Sequence, residues 1–389
     1  MSGTDGSWRT VGVVAGWQTA ASLCYYTIFA ATGFLRESFH LTESLVGLFL
    51  TAAMLGYTVS LFPSGAAVDG FGEKRVMTVG LVALAVAAVG VTFAPSYPLL
   101  LVAGALLGAA YSTAMPGSNR GIVAGAPAGR ANLAMGLKQV GVTAGSGAAS
   151  LVVTGVAAVA AWRVGFWAIA ALACVYAVGF AVVYRGKSGS GRFERPELGG
   201  LRANGPYVAL VAAGLFLGAG VFSMLGYTVL YVEDVVGASA AVAGVVLAAT
   251  QVTGSLGRVG AGTLADRLGG AHGAATVALA QTAVGAGLFV VLVGSGGSLL
   301  LTVAVFVGLG LSVHGSTGVF YSCLSDVVDD DDIGAATAGG QTALNTGGLL
   351  APPTFGFVVE SMGYDAAWAF VTALTAVAAV LLFVVRRRV

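Results

Sequence analysis

Two short stretches decide the fold: Gly65-Ala-Ala-Val-Asp69-Gly-Phe-Gly72 and Gly262-Thr-Leu-Ala-Asp266-Arg267-Leu-Gly269. Both read G-x-x-x-D-x-x-G, and they begin 197 positions apart, so the chain contains an internal repeat. Further segments recur in the same order: Gly136-x-Lys138 matches Gly339-x-Gln341, and Ser112-Thr113 matches Ser316-Thr317. The sequence therefore predicts two halves of similar structure.

The composition indicates that most of this chain lies in lipid. Of 389 residues, 57% are hydrophobic and only 9% are charged, and the mean hydropathy is +0.90. A soluble domain carries about 25% charged residues, so an aqueous globular fold is excluded. The net charge of +1 gives no basic field for nucleic acid. Cys24, Cys174 and Cys323 are isolated and predict neither a disulfide framework nor a metal site.

Twelve apolar segments are long enough to cross a membrane, which takes about 20 residues, and each must be helical to satisfy its backbone. They lie near 10–34, 44–68, 75–94, 97–122, 131–159, 163–184, 206–232, 240–264, 272–293, 298–324, 333–359 and 366–385. We predict an all-α membrane protein with 12 transmembrane helices in two pseudo-symmetric six-helix halves. Residues 1–184 form the N-terminal bundle, 185–204 a polar cytoplasmic linker, and 205–389 the C-terminal bundle.

Basic residues set the orientation, because loops rich in Lys and Arg stay in the cytoplasm. With both termini inside, only Arg36 and Arg163 face outward. The inner side then holds Arg9, Lys74, Arg75, Arg120, Arg130, Arg185, Lys187, Arg192, Arg195, Arg202, Arg267 and Arg386 to Arg388. We predict a multi-pass protein of the cell (inner) membrane with both termini cytoplasmic.

The two G-x-x-x-D-x-x-G loops, each after the second helix of a half, resemble the signature loop of the major facilitator superfamily. The resemblance covers nearly the whole chain and implies a transporter whose halves face each other across a central cavity and alternate by a rocker-switch motion. In that family the loop is a gating element, which places Asp69 with Lys74 and Arg75, and Asp266 with Arg267, in gating roles. The first loop departs from the family pattern with Gly70 and Glu73, so its latch is expected to be weaker.

Charged residues inside spans are costly and point to function. All 17 acidic residues fall in loops or near helix ends, whereas two basic residues, Lys138 and Arg258, lie inside the fifth and eighth spans. At a rise of about 1.5 Å per residue, both sit roughly 9–12 Å inside the inner face. Buried cations need a counter-charge, and a bound anion supplies one. Arg binds a carboxylate through a planar fork, and Lys adds a mobile point charge.

Two further resemblances favour an anionic cargo. The segment Arg258-x-x-x-Gly262-x-x-x-Asp266 is similar to the eighth helix of monocarboxylate and oxalate/formate carriers, where an Arg in this place is a carboxylate ligand. The segment Ala134-Met-Gly-Leu-Lys-Gln-Val-Gly141 resembles the fifth helix of cyanate-permease-like carriers. These likenesses imply a small organic anion, a mono- or dicarboxylate, rather than a cationic drug.

Structural alternatives exist for each candidate. Arg258 could pair with Asp266, two helical turns along, and both cations could extend to the inner surface. His314, in the tenth span, is either a hydrogen-bonded packing residue or a proton or substrate site.

The remaining substrate-binding candidates are polar residues of helices expected to line the cavity, although any one Tyr could simply pack or anchor its helix. The predicted binding set is Arg258, Lys138, Tyr26, Tyr111, Tyr227, Gln251, His314, Gln341 and Asn345.

Several mechanisms stay open at this stage. Anion exchange, facilitated diffusion and proton symport all fit, because no carboxylate lies mid-membrane. An efflux transporter of neutral or amphipathic drug-like compounds and a non-transporting membrane receptor or scaffold are the rivals. No P-loop, dinucleotide-binding or His-Glu-x-x-His motif occurs, so we expect no enzyme activity, catalytic residue, cofactor or metal. The expected partners are a small anionic substrate, the lipid bilayer and a candidate co-transported proton, with no nucleic acid, for a monomeric protein.

Overall fold

The computed structural model describes residues 7–127, 131–186, 201–295, 297–328 and 333–389, and every regular element there is helical. In chain order the helices are α1 Trp8–Tyr25, α2 Thr27–Ala30, α3 Thr32–Phe39, α4 Glu43–Phe71, α5 Glu73–Phe93, α6 Tyr97–Tyr111, α7 Ala114–Gly125, α8 Ala131–Ala157, α9 Trp162–Val183, α10 Gly205–Asp234, α11 Ala240–Leu268, α12 Gly270–Leu292, α13 Leu299–Leu309, α14 Gly315–Asp326 and α15 Ile333–Arg388. A π-helical segment, Gly310–His314, joins α13 to α14, and a 3₁₀ turn, Leu201–Ala203, precedes α10.

Within the described residues, ten helices are long and apolar enough to cross a membrane. The last of them, Ala336–Arg388, contains a break at Gly363, where φ is 85°, and so holds two of the predicted spans. The first predicted span, 10–34, is shared among the consecutive helices α1, α2 and α3. With these two segments the helices are in line with the twelve predicted spans, and the predicted fold class is confirmed.

The helices form two compact units: Met1–Ala31 with Ala52–Glu194, and Thr32–Thr51 with Arg195–Val389. Most of the predicted linker, residues 187–200, lies outside the described residues. The predicted division into residues 1–184 and 205–389 therefore stays a prediction.

An ion-pair cluster ties α3 to the rest of the second unit. Both Nη atoms of Arg36 donate to the carboxylate of Asp234 at 2.5 Å, and Nη1 also donates to Glu43 Oε1 at 3.0 Å. Tyr364 donates to Asp234 Oδ2 at 2.8 Å. A bidentate Arg–carboxylate pair within a network is the strongest form of surface ion pair, which explains why this N-terminal segment packs with the second unit.

Glycines let pairs of helices approach through their backbones, in the manner expected in lipid. In the first unit, a Cβ on Gly56 or Gly108 would overlap a carbonyl oxygen of the facing helix. In the second unit, a Cβ on Gly257 or Gly310 would likewise overlap a backbone carbonyl oxygen of the segment that it faces. The internal repeat of the sequence is therefore also present in the packing of each unit.

We predict that Gly108→Ala destabilises the protein by about 1–3 kcal/mol, because the new methyl group would meet the backbone carbonyl of Ala53. The matched control is Gly90→Ala in α5, where a Cβ has no neighbour within 4 Å. Ala is favoured over Gly inside a helix, so the control is expected to be neutral or stabilising. Thermal unfolding of both purified variants in detergent measures the difference. Equal melting temperatures would contradict this account of the packing.

Candidate functional site

Lys138 on α8 is a fully buried cation of the first unit, with 0% of its surface exposed. Its Nζ donates to the amide oxygen Oδ1 of Asn119 at 2.6 Å and lies 3.7 Å from the thioether sulfur of Met115. Across the part of the chain that the structure describes, no carboxylate pairs with this ammonium. The ammonium is therefore held by neutral ligands, and it does not extend to water at the inner surface as one alternative proposed.

Aromatic rings form a cluster in the same unit. Tyr25 and Tyr111 stack with centroids 4.2 Å apart and an angle of 2° between their planes. Tyr26 meets both rings edge-on, at 5.3 and 6.2 Å. The hydroxyl of Tyr25 is buried without a hydrogen-bond partner among the described residues. Two of these residues, Tyr26 and Tyr111, are predicted binding residues, and the structure brings them together.

A chain of hydrogen bonds connects this aromatic cluster to α7. The hydroxyl of Tyr111 lies 3.0 Å from that of Ser22, which accepts from Gln18 Nε2 at 3.2 Å. Ser118 donates to Gln18 Oε1 at 2.9 Å. The sequence analysis did not identify Gln18 or Ser118, although a buried amide within an apolar helix was a usable signal.

In the second unit, Arg258 on α11 lies against His314, the last residue of the π-helical segment. Arg258 Nη2 is 3.2 Å from His314 Nε2, and Arg258 Nε is 3.1 Å from Thr317 Oγ1 and 3.4 Å from the backbone oxygen of His314. A guanidinium group has only donors, so His314 Nε2 must be the acceptor. The imidazole is then neutral, and its hydrogen is on Nδ1.

Local backbone geometry makes this Arg–His contact possible. A π-helical segment is a local bulge in a helix and often occurs at functional sites, and here it ends at His314. Gly254 faces the imidazole ring so closely that a Cβ would overlap it, and a Cβ on Gly318 would lie 3.2 Å from the stem of Arg258. The two glycines leave the room in which both side chains fit.

A second polar chain in this unit runs along α15. Tyr321 donates to Gln341 Oε1, and Gln341 Nε2 donates to Asn345 Oδ1 at 2.8 Å. Asn345 is fully buried, and its Nδ2 has no hydrogen-bond partner among the described residues. Gln341 matches Lys138 in the internal repeat, so equivalent positions carry polar groups in both units.

The structure places the last two predicted binding residues in the interior. Gln251 on α11 is 1% exposed. Tyr227 on α10 is fully buried, and its hydroxyl lies 2.6 Å from the backbone oxygen of Glu43 and 2.9 Å from that of Pro352. The structure thus places the Tyr227 hydroxyl against two backbone carbonyl groups.

The predicted gating residues are only partly described. The side chains of Asp69 and Asp266 lie outside the described part of the structure. Lys74 is half-buried near the start of α5, whereas Arg75 and Arg267 are exposed.

The same loop contains an ion pair that the sequence analysis did not predict. Glu73, the first residue of α5, is fully buried, and its Oε2 lies 3.4 Å from Arg120 Nε. Arg120 Nη1 donates to the backbone oxygen of Val68 at 3.2 Å, and Tyr184 donates to Glu73 Oε1 at 3.4 Å. The signal was present in the sequence, because Glu73 was one of the departures from the family pattern.

A chain of apolar helices arranged in repeated units, with polar side chains buried inside them, is typical of a multi-pass membrane protein. The sequence profile described as Major Facilitator Superfamily matches residues 15–338, and the chain belongs to that family. The chain is also similar to the hexuronate transporter of Bacillus subtilis (strain 168), with 24% identity over 352 residues that cover 86% of this chain and 83% of the relative.

Solved structures agree on the fold. Two crystal structures of a bacterial homolog to the human lysosomal transporter Spinster, both inward-facing, match at 14% identity. The occupied form gives a TM-score of 0.80 and covers 97% of this chain and 96% of that chain; the unoccupied form gives 0.82 and 98% of each. These findings confirm the predicted family. They also confirm the prediction of a transporter rather than an enzyme, and a transporter acts on a small-molecule substrate within a lipid bilayer.

Proposed function

We propose that this protein carries a small organic anion, a mono- or dicarboxylate, by rocker-switch alternating access. The observation that carries the proposal is the fully buried ammonium of Lys138, which is held by an amide oxygen and a thioether sulfur. Burying a charge costs several kcal/mol unless an opposite charge compensates it. An anionic cargo supplies that charge in the loaded transporter.

Arg258 is proposed as the carboxylate ligand of the second unit. It is half-buried rather than extended into solvent, and Thr317 and His314 fix its Nε and one Nη atom. A planar guanidinium held in this way can present a fixed edge to a carboxylate. The hexuronate transporter supports this class of cargo, because a hexuronate is itself a carboxylate anion.

The remaining polar residues are proposed to shape the substrate site. Tyr26 and Tyr111 are proposed to bind substrate in the first unit, and Tyr227, Gln251, His314, Gln341 and Asn345 are proposed to bind it in the second. The loops that contain Asp69 and Asp266 are proposed to gate transport together with Lys74, Arg75 and Arg267. The protein is proposed to act as a monomer in the inner membrane, and the distribution of basic residues supports cytoplasmic termini.

Transport assays in proteoliposomes test the proposal. Labelled lactate, succinate, oxalate and glucuronate are loaded on one side, and exchange is followed in protein-containing and protein-free liposomes. We expect exchange of at least one acid above the protein-free level. Failure of all four acids, with transport of an uncharged amphipathic dye instead, would favour the efflux alternative.

Arg258→Gln is expected to lower the apparent affinity for the transported acid at least about tenfold. The reason is the loss of a charge-assisted hydrogen bond, worth about 1.5 kcal/mol or more. Concentration dependence of exchange measures the effect, and Arg202→Gln is the control, because Arg202 is an exposed arginine of the same unit. Unchanged affinity in Arg258→Gln would show that this arginine does not bind cargo.

A further inference from the structure

The contact between Arg258 and His314 has a consequence for protons. Because the guanidinium donates to Nε2 at 3.2 Å, the imidazole can take a second proton only when that hydrogen bond is given up. A protonated ring in the present geometry would place two cations and two opposed donors at hydrogen-bond distance. Protonation of His314 and its contact with Arg258 therefore exclude each other.

His314 lies in the interior of the second unit, enclosed by several helices. The π-helical segment packs against α10, α11, α12, α13 and α14. Among the described residues of these helices, Arg258 on α11 is a charged group that faces His314, and Tyr321 on α14 is a titratable group near Arg258. His314 is 4% exposed, and its Nδ1 has no hydrogen-bond partner in the described part of the chain.

We infer that His314 binds a co-transported proton, which enters at Nε2 when the carboxylate of the cargo draws the guanidinium of Arg258 onto itself. This inference rests on the proposed function, because the carboxylate is what separates the two groups. The proton comes from water on the loading side and adds to Nε2, giving an imidazolium with a hydrogen on each nitrogen. The carboxylate then lies between two cations, and both the anion and the proton leave on the opposite side.

The stoichiometry follows from this exchange of partners. One proton travels with each carboxylate, so a monocarboxylate crosses without net charge. Binding of the two is reciprocal, since each raises the affinity of the site for the other by the same factor. Transport of a monocarboxylate is therefore driven by a pH gradient and is indifferent to a potassium diffusion potential.

The test uses labelled lactate and glucuronate as probes and proteoliposomes with a pH dye inside. Exchange is measured at equal pH on both sides, and uptake is measured with an acidic outside. In the wild type, the gradient is expected to stimulate uptake about tenfold, with acidification of the lumen beyond that in protein-free liposomes. The His314→Gln side chain can still accept a hydrogen bond but cannot hold the extra proton. In this variant we expect no stimulation, so that uptake with and without the gradient is about equal. His272→Gln, an exposed histidine at the start of α12, should match the wild type.

The outcomes separate the inference from the proposed function. Wild-type exchange without stimulation by the gradient, or stimulation that persists in His314→Gln, overturns the inference and leaves the anion carrier standing. Absence of exchange for both probes and for succinate and oxalate overturns both. Absence of acidification in the wild type overturns the inference without any variant, so a failure of His314→Gln to fold leaves the inference falsifiable.

Discussion

Lys138→Met is expected to lower transport of the anionic substrate about 100-fold or more while leaving the protein at least as stable as the wild type. Met has nearly the length of Lys and lacks the charge, so the substitution removes an electrostatic contact with the cargo. The side chain is fully buried, and charges interact more strongly away from water. A charge-assisted hydrogen bond is worth up to about 3 kcal/mol, which is about 150-fold in affinity.

The expected stability separates this effect from simple misfolding. Removing a buried charge that has no ionic partner among the described residues also removes its cost of desolvation, which offsets the hydrogen bond lost to Asn119. Thermal unfolding and uptake are measured on the same preparation, with Arg202→Gln as the control for loss of a surface cation. A variant that transports at the wild-type rate would remove Lys138 from the substrate site. A variant that unfolds would assign Lys138 a structural role with Asn119.

Arg120→Gln is expected to destabilise the first unit by about 3–5 kcal/mol. The substitution removes the cation beside the fully buried carboxylate of Glu73, and breaking one side of a buried ion pair is strongly destabilising. The double variant Glu73→Gln with Arg120→Gln is expected to recover more than half of that loss, because it removes both charges. Denaturation in detergent of the two variants provides the comparison.

A matched surface substitution checks the size of this effect. Arg202→Gln is expected to change the stability by less than about 0.5 kcal/mol, as is usual at exposed positions. If the double variant is no more stable than Arg120→Gln alone, the ion pair does not account for the burial of Glu73.

Hydropathy and the internal repeat were sufficient to predict the helices of this protein. Membrane thickness fixes the length of a span, so the predicted spans 97–122 and 163–184 correspond closely to the observed segments 97–122 and 162–183. The two glycine-rich loops identified the family, because the spacing of their residues can be read from the sequence without knowing how the side chains pack. Local breaks were harder to predict: the π-helical segment at Gly310–His314 depends on tertiary contacts with α11.

The candidate site was only partly predictable for a physical reason. The sequence indicated that Lys138 and Arg258 lie within spans, since depth follows from counting residues along a helix. Which neighbours they contact depends on the rotation of each helix about its axis, and a nearly uniform apolar sequence does not determine that rotation. The partners Asn119 and Thr317 therefore became apparent only in the structure, although Thr317 already belonged to a recognised repeat.

The charge of the cargo is the central claim, and a comparison of acids with their uncharged amides tests it most directly. Lactate and lactamide, or glucuronate and glucuronamide, differ at the carboxyl group alone, and each can be used to compete with uptake of the labelled acid in proteoliposomes. We predict that the amides compete at least about 100-fold more weakly than the acids, because they offer no negative charge to Lys138 and Arg258. Equal competition by acid and amide would contradict an anion carrier.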